Sequence, residues 1–575
     1  MDGREPVDGA LVARTAEAIL AAFRDYNDEF ARITRRAARR FAEREWGLGR
    51  RDAVERIELY DRRVEGLLAN LVGRMGRWIA DEATWSAVRG SFAELIRDCA
   101  DREFHQTFFN SLTRKVFATE GVNPGVEFDA LECAPQLTGG LAPFRSYSGT
   151  DPADLATRIL AQFPHCRSEG EPLAGHAAGV LRVAAALNMS AESPLVVEML
   201  EPVFYRGTRA FLVGRVVRAE RTTGLVIAFR NDEAGPAVDA VITADPAIRN
   251  LFGFARSYFH VDLDPVGPVV EFLRTLMPRK SLAELYTVLG RAKQGKTERY
   301  RSLYAHLESS DDRFVHAEGQ RGMVMLVFTL GSYDSVFKVI RDRFPFPKTT
   351  SRPEVEDRYL FVFEHDRVGR LVDAQEFRRL RFPRSRFAPE LLDELLRECA
   401  GTCRLEGDDL IIGHCYIERR LKPLDVYLQT AEPAAARAAI RDYGRAIREL
   451  AMSNIFPGDL LLKNFGVSRN GRVIFYDYDE LCLVTDCTYR DLPRARFDED
   501  ETRGEPWFYV GPNDVFPEQF LDFLGLRGEL REEFLAHHAD LLTADYWRGL
   551  KAAHQAERWL EVLPYPSETG EAVAA

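Results

Sequence analysis

Asp459 and Asn464 stand five positions apart in Phe456-Pro-Gly-Asp-Leu-Leu-Leu-Lys-Asn464, and Asp477 follows Asp459 by 477 minus 459, or 18 residues, in Val473-Ile-Phe-Tyr-Asp-Tyr-Asp479. An acid and a carboxamide at that spacing, with a second acid brought back by a hairpin, suit phosphoryl transfer on a kinase-like fold. Transfer places negative charge on nucleotide oxygens. Magnesium held by Asn464 and Asp477 would offset it, while Asp459 orients the attacking hydroxyl and accepts its proton. Alone, Asp477-Tyr-Asp479 would equally describe solvated acids at a strand end, or the D-x-D metal site of some sugar-nucleotide transferases. What favours the first reading is order along the chain.

The supporting parts lie upstream in that order. Ala317-Glu-Gly-Gln-Arg-Gly-Met323 contains Gly319 and Gly322, which let backbone approach phosphates ahead of an expected strand over residues 324–330. Val336-Phe-Lys-Val-Ile340 then holds Lys338 among apolar neighbours, as a phosphate-gripping lysine is held. A lysine so placed needs an anionic partner to offset desolvation, and the sequence does not say which. Next, Leu410–Ile417 (LIIGHCYI) reads as a buried strand running into Glu418, Arg419 and Arg420, where such folds have the hinge that pairs with adenine.

A rival nucleotide signal exists. Gly290-Arg-Ala-Lys-Gln-Gly-Lys-Thr297 satisfies the G-x-x-x-x-G-K-[ST] pattern of a phosphate-binding P-loop. That loop must leave a buried strand, yet Ser281–Leu289 places Leu282, Leu285, Val288 and Leu289 at helical spacing. The segment is therefore expected to connect two helices, with Lys296 and Thr297 on the surface.

The elements around these signals follow from periodicity. Residues 9–118 repeat apolar positions at steps of three and four, so a helix-rich start is expected, with Arg32, Arg35, Arg36, Arg39 and Arg40 on a solvated helix face. Ala210–Val217 and Leu225–Arg230 predict a small strand insertion, and helical spacing returns over 269–289 and 298–307. From Phe314 come strand-like runs at 323–330, 335–340, 359–364 and 410–417, then helices and a last strand pair. The class expected is α+β, divided near Asp311 and Asp312.

Composition removes other classes. A length of 575 residues allows about two to four domains at roughly 150 residues each. A net charge of -12 argues against a wholesale nucleic-acid binder. The longest uncharged runs are 12 residues (133–144 and 322–333), below the about 18 a membrane helix needs, and the acidic start lacks a secretory pattern. Eight scattered cysteines without a C-x-x-C pair suit a reducing, cytoplasmic setting, and Cys399 with Cys403 has no histidine beside it for zinc.

Several segments together resemble a known family, the bifunctional isocitrate dehydrogenase kinase/phosphatase of bacteria. They are Gly322–Ile340 (GMVMLVFTLGSYDSVFKVI), His365–Phe377 (HDRVGRLVDAQEF), Tyr416–Arg420 (YIERR) and Asn454–Leu481 (NIFPGDLLLKNFGVSRNGRVIFYDYDEL), with KQGKTE at 293–298 and the overall length in agreement. The resemblance is weakest before Pro202. It implies a mainly helical regulatory domain over residues 1–312 and a bilobal protein-kinase-like domain over 313–575 carrying both activities. It further implies ATP bound through Ala317, Glu318, Gly319, Gln320, Arg321, Gly322, Met323 and Lys338, and an active-site role for Asp373, which spacing alone does not single out. The substrate implied is a serine in the active site of NADP-dependent isocitrate dehydrogenase, phosphorylated with Mg2+ and ATP. Removal of that phosphate is implied to use the same nucleotide-bound cleft, with ATP or ADP. Control by an AMP-like adenine nucleotide through the N-terminal domain is also implied.

Two departures from ordinary kinases stand out. Pro457-Gly458 replaces the His-Arg before the catalytic Asp, and Asp479 stands where D-F-G has Gly. Asp479 is the candidate for positioning the hydrolytic water or phosphate. Cys487–Phe516, with Trp507, Phe508 and Tyr509, reads as a long loop reaching a protein substrate. His537 and His538 cannot share a helical face and are given structural or surface roles. A nucleotide-holding protein without transfer, and a small-molecule phosphotransferase, are the competing classes.

Overall fold

Asp8 accepts a hydrogen bond from the Ala10 amide and starts helix α1 (Gly9–Glu43), whose buried Ile19, Phe23, Phe30 and Ile33 recur at helical steps. In this computed structural model, which describes residues 8–129, 142–166, 176–187, 195–218, 221–253, 259–346, 348, 350–493, 508–563 and 565, α1 packs on α2 (Trp46–Met75), α3 (Glu82–Leu95) and α4 (Arg102–Phe117). Tyr26, Tyr60 and Phe108 close that core edge to face. The arginine face of α1 is not simply solvated. Arg36 and Arg40 both reach the buried Asp52 of α2, at 2.8 and 2.9 Å, and Arg35 reaches Asp262 at 2.6 Å.

The strand insertion is fuller than two segments suggested. Strands β1 (Phe144–Gly149), β2 (Leu195–Leu200), β3 (Phe204–Arg206), β4 (Arg209–Arg218), β5 (Arg221–Asp232) and β6 (Gly235–Ile242) form an antiparallel sheet ordered β1-β2-β4-β5-β6, with β3 beside β4. Helices α5 (Pro152–Leu160) and α6 (His176–Leu187) cover one face. The chain continues through α7 (Asp245–Leu251), α8 (Gly267–Leu276), α9 (Leu282–Val288) and α10 (Ala292–Ser309). The P-loop pattern falls at the junction of α9 and α10, where Gly290 adopts φ +84. Lys296 and Thr297 lie within α10 and are half-buried rather than on the surface. Lys296 stands 4.8 Å from the Phe377 ring, and burial pushes its pKa down to about 7.

The second half opens with an antiparallel sheet of β7 (Phe314–His316), β8 (Met325–Leu330), β9 (Ser335–Ile340), β10 (Gln375–Pro383), β11 (Cys403–Glu406) and β12 (Asp409–Arg419), ordered β10-β12-β9-β8-β7 with β11 on β12. The strand expected over 359–364 is instead part of α11 (Arg352–His365). Pro353 and the Ser351–Glu354 capping box start that helix, and Val355, Tyr359 and Val362 bury one face at steps of four and three. Aromatic and β-branched content misled there because the period was helical.

Below the sheet, α14 (Pro433–Met452) carries a second core with Tyr443, Ile447, Phe465, Phe475 and Trp547. His538 is buried, and its Nε2 lies 2.9 Å from the Arg441 carbonyl oxygen, a structural role. Cys399 and Cys403 are buried free thiols. No helix among the described residues is long and apolar enough to cross a membrane.

Two contacts join the halves at β12. Arg299 of α10 donates to the Ile417 carbonyl at 3.1 Å, and Glu284 of α9 lies 3.0 Å from Arg419. Burial opposes the charge on Glu284, but Lys280, Arg419 and the Ser281 amide outweigh it and hold its pKa down at about 2. The unfolded chain then takes up this proton first, so the stabilisation is present above pH ~4.5 and is lost as pH falls toward ~2. The Tm difference between the parent and Glu284→Gln should therefore shrink between pH 6 and pH 3. A constant difference would contradict this account.

Candidate active site

Strand alternation sets the first pair of charges. Tyr416 of β12 is opposite Lys338 of β9 and Glu418 is opposite Val336, so Lys338 and Glu418 are diagonal neighbours on one face. Lys338 Nζ lies 2.8 Å from Glu418 Oε2 and donates to the Tyr476 carbonyl at 2.8 Å. Glu418 is fully buried, and burial raises its pKa against the pull of Lys338. This is the anionic partner that spacing left open. It was legible only as the residue two past Tyr416 on the same strand face.

The acids arrive by a hairpin. Strands β15 (Phe465–Val467) and β16 (Val473–Phe475) pair antiparallel around a turn in which the Gly471 amide donates to the Ser468 carbonyl. (Of the intervening strands, β13 is Lys422–Pro423 and β14 is Ile455–Phe456.) The Tyr476 amide then donates to the Asn464 carbonyl at 3.1 Å, which sets Asp477 beside Asn464. The regular strand stops at Phe475, so the 477–479 acids lie just beyond its end. Asp459 is held by the Leu461 amide on its Oδ1 at 3.0 Å, and its carbonyl accepts from Asn464 Nδ2 at 3.3 Å.

Gly458 explains the missing His-Arg. Its φ is +77, and a Cβ there would fall 2.4 Å from the Glu480 carbonyl oxygen. The segment before Asp459 is thus pressed against the segment after Asp477, and a side chain would push them apart.

Between the sheet and these loops lies a cleft of about 670 Å³, ample for a nucleotide. Ala317, Glu318, Gly319, Gln320, Arg321, Gly322 and Met323 all line it, with Lys338, the turn from Glu418 to Pro423, Asp459, Asn464, Asp477 and Asp479. Gly319 has φ +107 and comes within 3.1 Å of Pro423 at its virtual Cβ, so the glycine loop folds over the cleft toward the hinge. Asp373 is not among the lining residues. It pairs with Arg299 at 3.7 Å, and its charge adds to the burial that raises Glu418.

The electrostatics ask for a cation. Burial raises the pKa of Asp477, with Asp459 and Glu480 adding and Lys338 and Lys348 opposing. Burial, then Asp477, pushes Asp479 up to about 7. Lys348 is a second basic residue that the sequence did not point to. It lies 2.7 Å from Glu480 and 3.9 Å from Asp479. The oxygen donors Asp477 and Asn464 suit magnesium, which needs only one or two protein ligands when phosphates supply others. Among the described residues no cluster of three His, Cys, Asp or Glu side chains forms a closed metal cage, which agrees with so open a site. Part of the expected substrate loop, including Trp507, lies outside the described residues; Phe508 packs on Phe516 at 5.3 Å and Tyr509 is exposed.

Comparison with known proteins agrees with this geometry. Residues 312–567 match the family model of the isocitrate dehydrogenase kinase/phosphatase (AceK) kinase domain, and residues 16–311 match that of its regulatory domain. The isocitrate dehydrogenase kinase/phosphatase of Xanthomonas campestris pv. campestris (strain 8004) is 45% identical over 553 residues, covering 95% of this chain and 96% of that protein. Those of Anaeromyxobacter sp. (strain Fw109-5) and Anaeromyxobacter dehalogenans (strain 2CP-C) are 45% and 46% identical, each covering at least 97% of this chain and 98% of the relative. With both halves matched in order and nearly the whole length aligned, the chain belongs to the isocitrate dehydrogenase kinase/phosphatase family.

Proposed function

We propose that this enzyme phosphorylates a serine in the active site of NADP-dependent isocitrate dehydrogenase with Mg-ATP, and removes that phosphate in the same nucleotide-bound cleft. The observation that carries the reading is the convergence of the Lys338–Glu418 pair with Asp459, Asn464, Asp477 and Asp479 on one cleft. A phosphate on an active-site serine repels an anionic substrate, so the reaction would divert isocitrate between the citric acid cycle and the glyoxylate bypass. The boundary proposed is after residue 312, with residues 1–312 regulatory and responsive to an AMP-like nucleotide, and 313–575 carrying both activities. A reducing cytoplasm is the location proposed.

In this reading the 317–323 loop and Lys338 hold the ATP phosphates, and Glu418 keeps Lys338 charged and aimed. Asn464 and Asp477 hold magnesium, which when bound neutralises charge on the phosphate oxygens. Asp459 accepts the serine proton. Asp479 positions water for dephosphorylation, and Asp373 acts from behind, orienting the Lys338–Glu418 pair through Arg299 and β12.

The test incubates the protein with magnesium, labelled ATP and the dehydrogenase, following label and dehydrogenase activity together. Label on a serine with falling activity, reversed when ADP replaces ATP, is the expected result. No transfer despite ATP binding would defeat the reading. In the same assay Asp479→Ala should slow dephosphorylation at least tenfold more than phosphorylation, and equal losses would remove its separate role.

A further inference from the structure

A second cavity, of about 140 Å³, lies between the two halves and away from the nucleotide cleft. Its wall is assembled from the ends of α1 and α2, the β3–β4 turn, the 366–368 segment after α11, Ser453 after α14, and residues 559–563. Three polar atoms lining it are buried without a hydrogen-bond partner: His260 Nε2, Arg367 Nε and Ser453 Oγ. Ser453 is only 3% exposed. A buried hydroxyl or guanidinium nitrogen left unpaired is costly, so three around one space point to a missing partner.

The charge around the space is unbalanced. Arg206 is buried, donates to the Leu251 carbonyl at 2.9 Å, and among the described residues has no carboxylate within 4 Å. Arg367 likewise donates only to the Met452 carbonyl, at 3.2 Å, and lies over the Trp559 ring. Burial depresses both guanidinium pKa values to about 10, and Arg50 at the rim adds positive charge. Asp366 is the acid facing them, but its Oδ1 is taken by the Val368 and Gly369 amides and burial disfavours its charge. Arg40 and Asp52, also in the wall, already satisfy each other.

We propose that this cavity is a non-catalytic binding site for a small multivalent oxyanion, a phosphate- or carboxylate-bearing metabolite held by Arg206, Arg367 and Ser453. The volume far exceeds the ~10–15 Å³ that one water needs and falls short of the ~300 Å³ of the smallest drug-sized pockets, which excludes a nucleotide. Arg206 belongs to the N-terminal half, and Arg367 and Ser453 to the C-terminal half, so a bound anion bridges the two.

The test uses the full chain with the nucleotide cleft saturated by Mg-ADP. Thermal unfolding is followed against inorganic phosphate, against malonate, and against chloride at equal ionic strength. Phosphate or malonate should raise Tm in a saturable way that chloride does not, and the more effective of the two identifies the ligand chemistry. Apparent affinity should fall at least tenfold in Arg367→Gln and in Ser453→Ala, while the Mg-ADP shift is retained. Ser453→Ala carries the test if Arg367→Gln does not fold. No shift with either anion in the parent, or the same shift in the variants, overturns the proposal.

Discussion

Asp459→Asn should lower label transfer to the dehydrogenase by about 10²–10⁴-fold while leaving ATP affinity within about threefold, the range expected when a positioned general base is removed. The substitution is nearly isosteric. Its side-chain oxygen can still accept from the Leu461 amide, and the backbone carbonyl that accepts from Asn464 is untouched. What changes is the capacity to take a proton from the attacking hydroxyl. Nucleotide binding rests on the glycine loop and Lys338 across the cleft, so binding and chemistry should separate. A loss below tenfold, measured in single turnover with saturating ATP, would show that Asp459 is not the base.

Glu418→Ala should destabilise the protein by about 3–5 kcal/mol, because it leaves the Lys338 ammonium in a buried site with only the Tyr476 carbonyl as partner. Removing both charges is a different matter. Lys338→Met combined with Glu418→Leu exchanges the pair for apolar groups of similar size, and stability should return to within about 1 kcal/mol of the parent or exceed it. Phosphorylation should stay lost in the double variant, since nothing then grips the phosphates. Denaturant unfolding of the two single variants and the double variant measures the coupling, and additive losses would mean that the two groups do not act as a pair.

Much of the site was legible because the chemistry uses residues close in sequence. Asp459, Asn464 and Asp477 span one short hairpin, and the hairpin places them with local hydrogen bonds. Strands β8, β9 and β12 were visible for the same reason, as apolar runs bounded by turns. Legibility failed where a contact depends on pairing distant segments. Glu418 and Lys338 are 80 residues apart and meet only through the register of β12 on β9. Lys348 meets Glu480 across the cleft mouth, and no local pattern announces it. Tyr359–Glu364 was misread because its β-forming side chains obey a helical period set by the cap at Ser351. Asp373 was reached only through family resemblance, and its position behind the cleft shows why spacing could not find it.

Strand β12 serves two masters: its side chains at 416 and 418 face the Lys338 side, while its 417 carbonyl is gripped by Arg299 from α10. A strand has a parity, because neighbouring residues point to opposite faces. Sliding β12 by one residue would turn Glu418 away from Lys338 and put Ile417 in its place. Any displacement of α10 that reaches the cleft must therefore move β12 as a stiff beam, by tilt or rotation, with its pairing to β9 intact. The information passed from one half to the other is then an angle, and the catalytic lysine reads it through a counter-ion that cannot come loose without breaking the sheet.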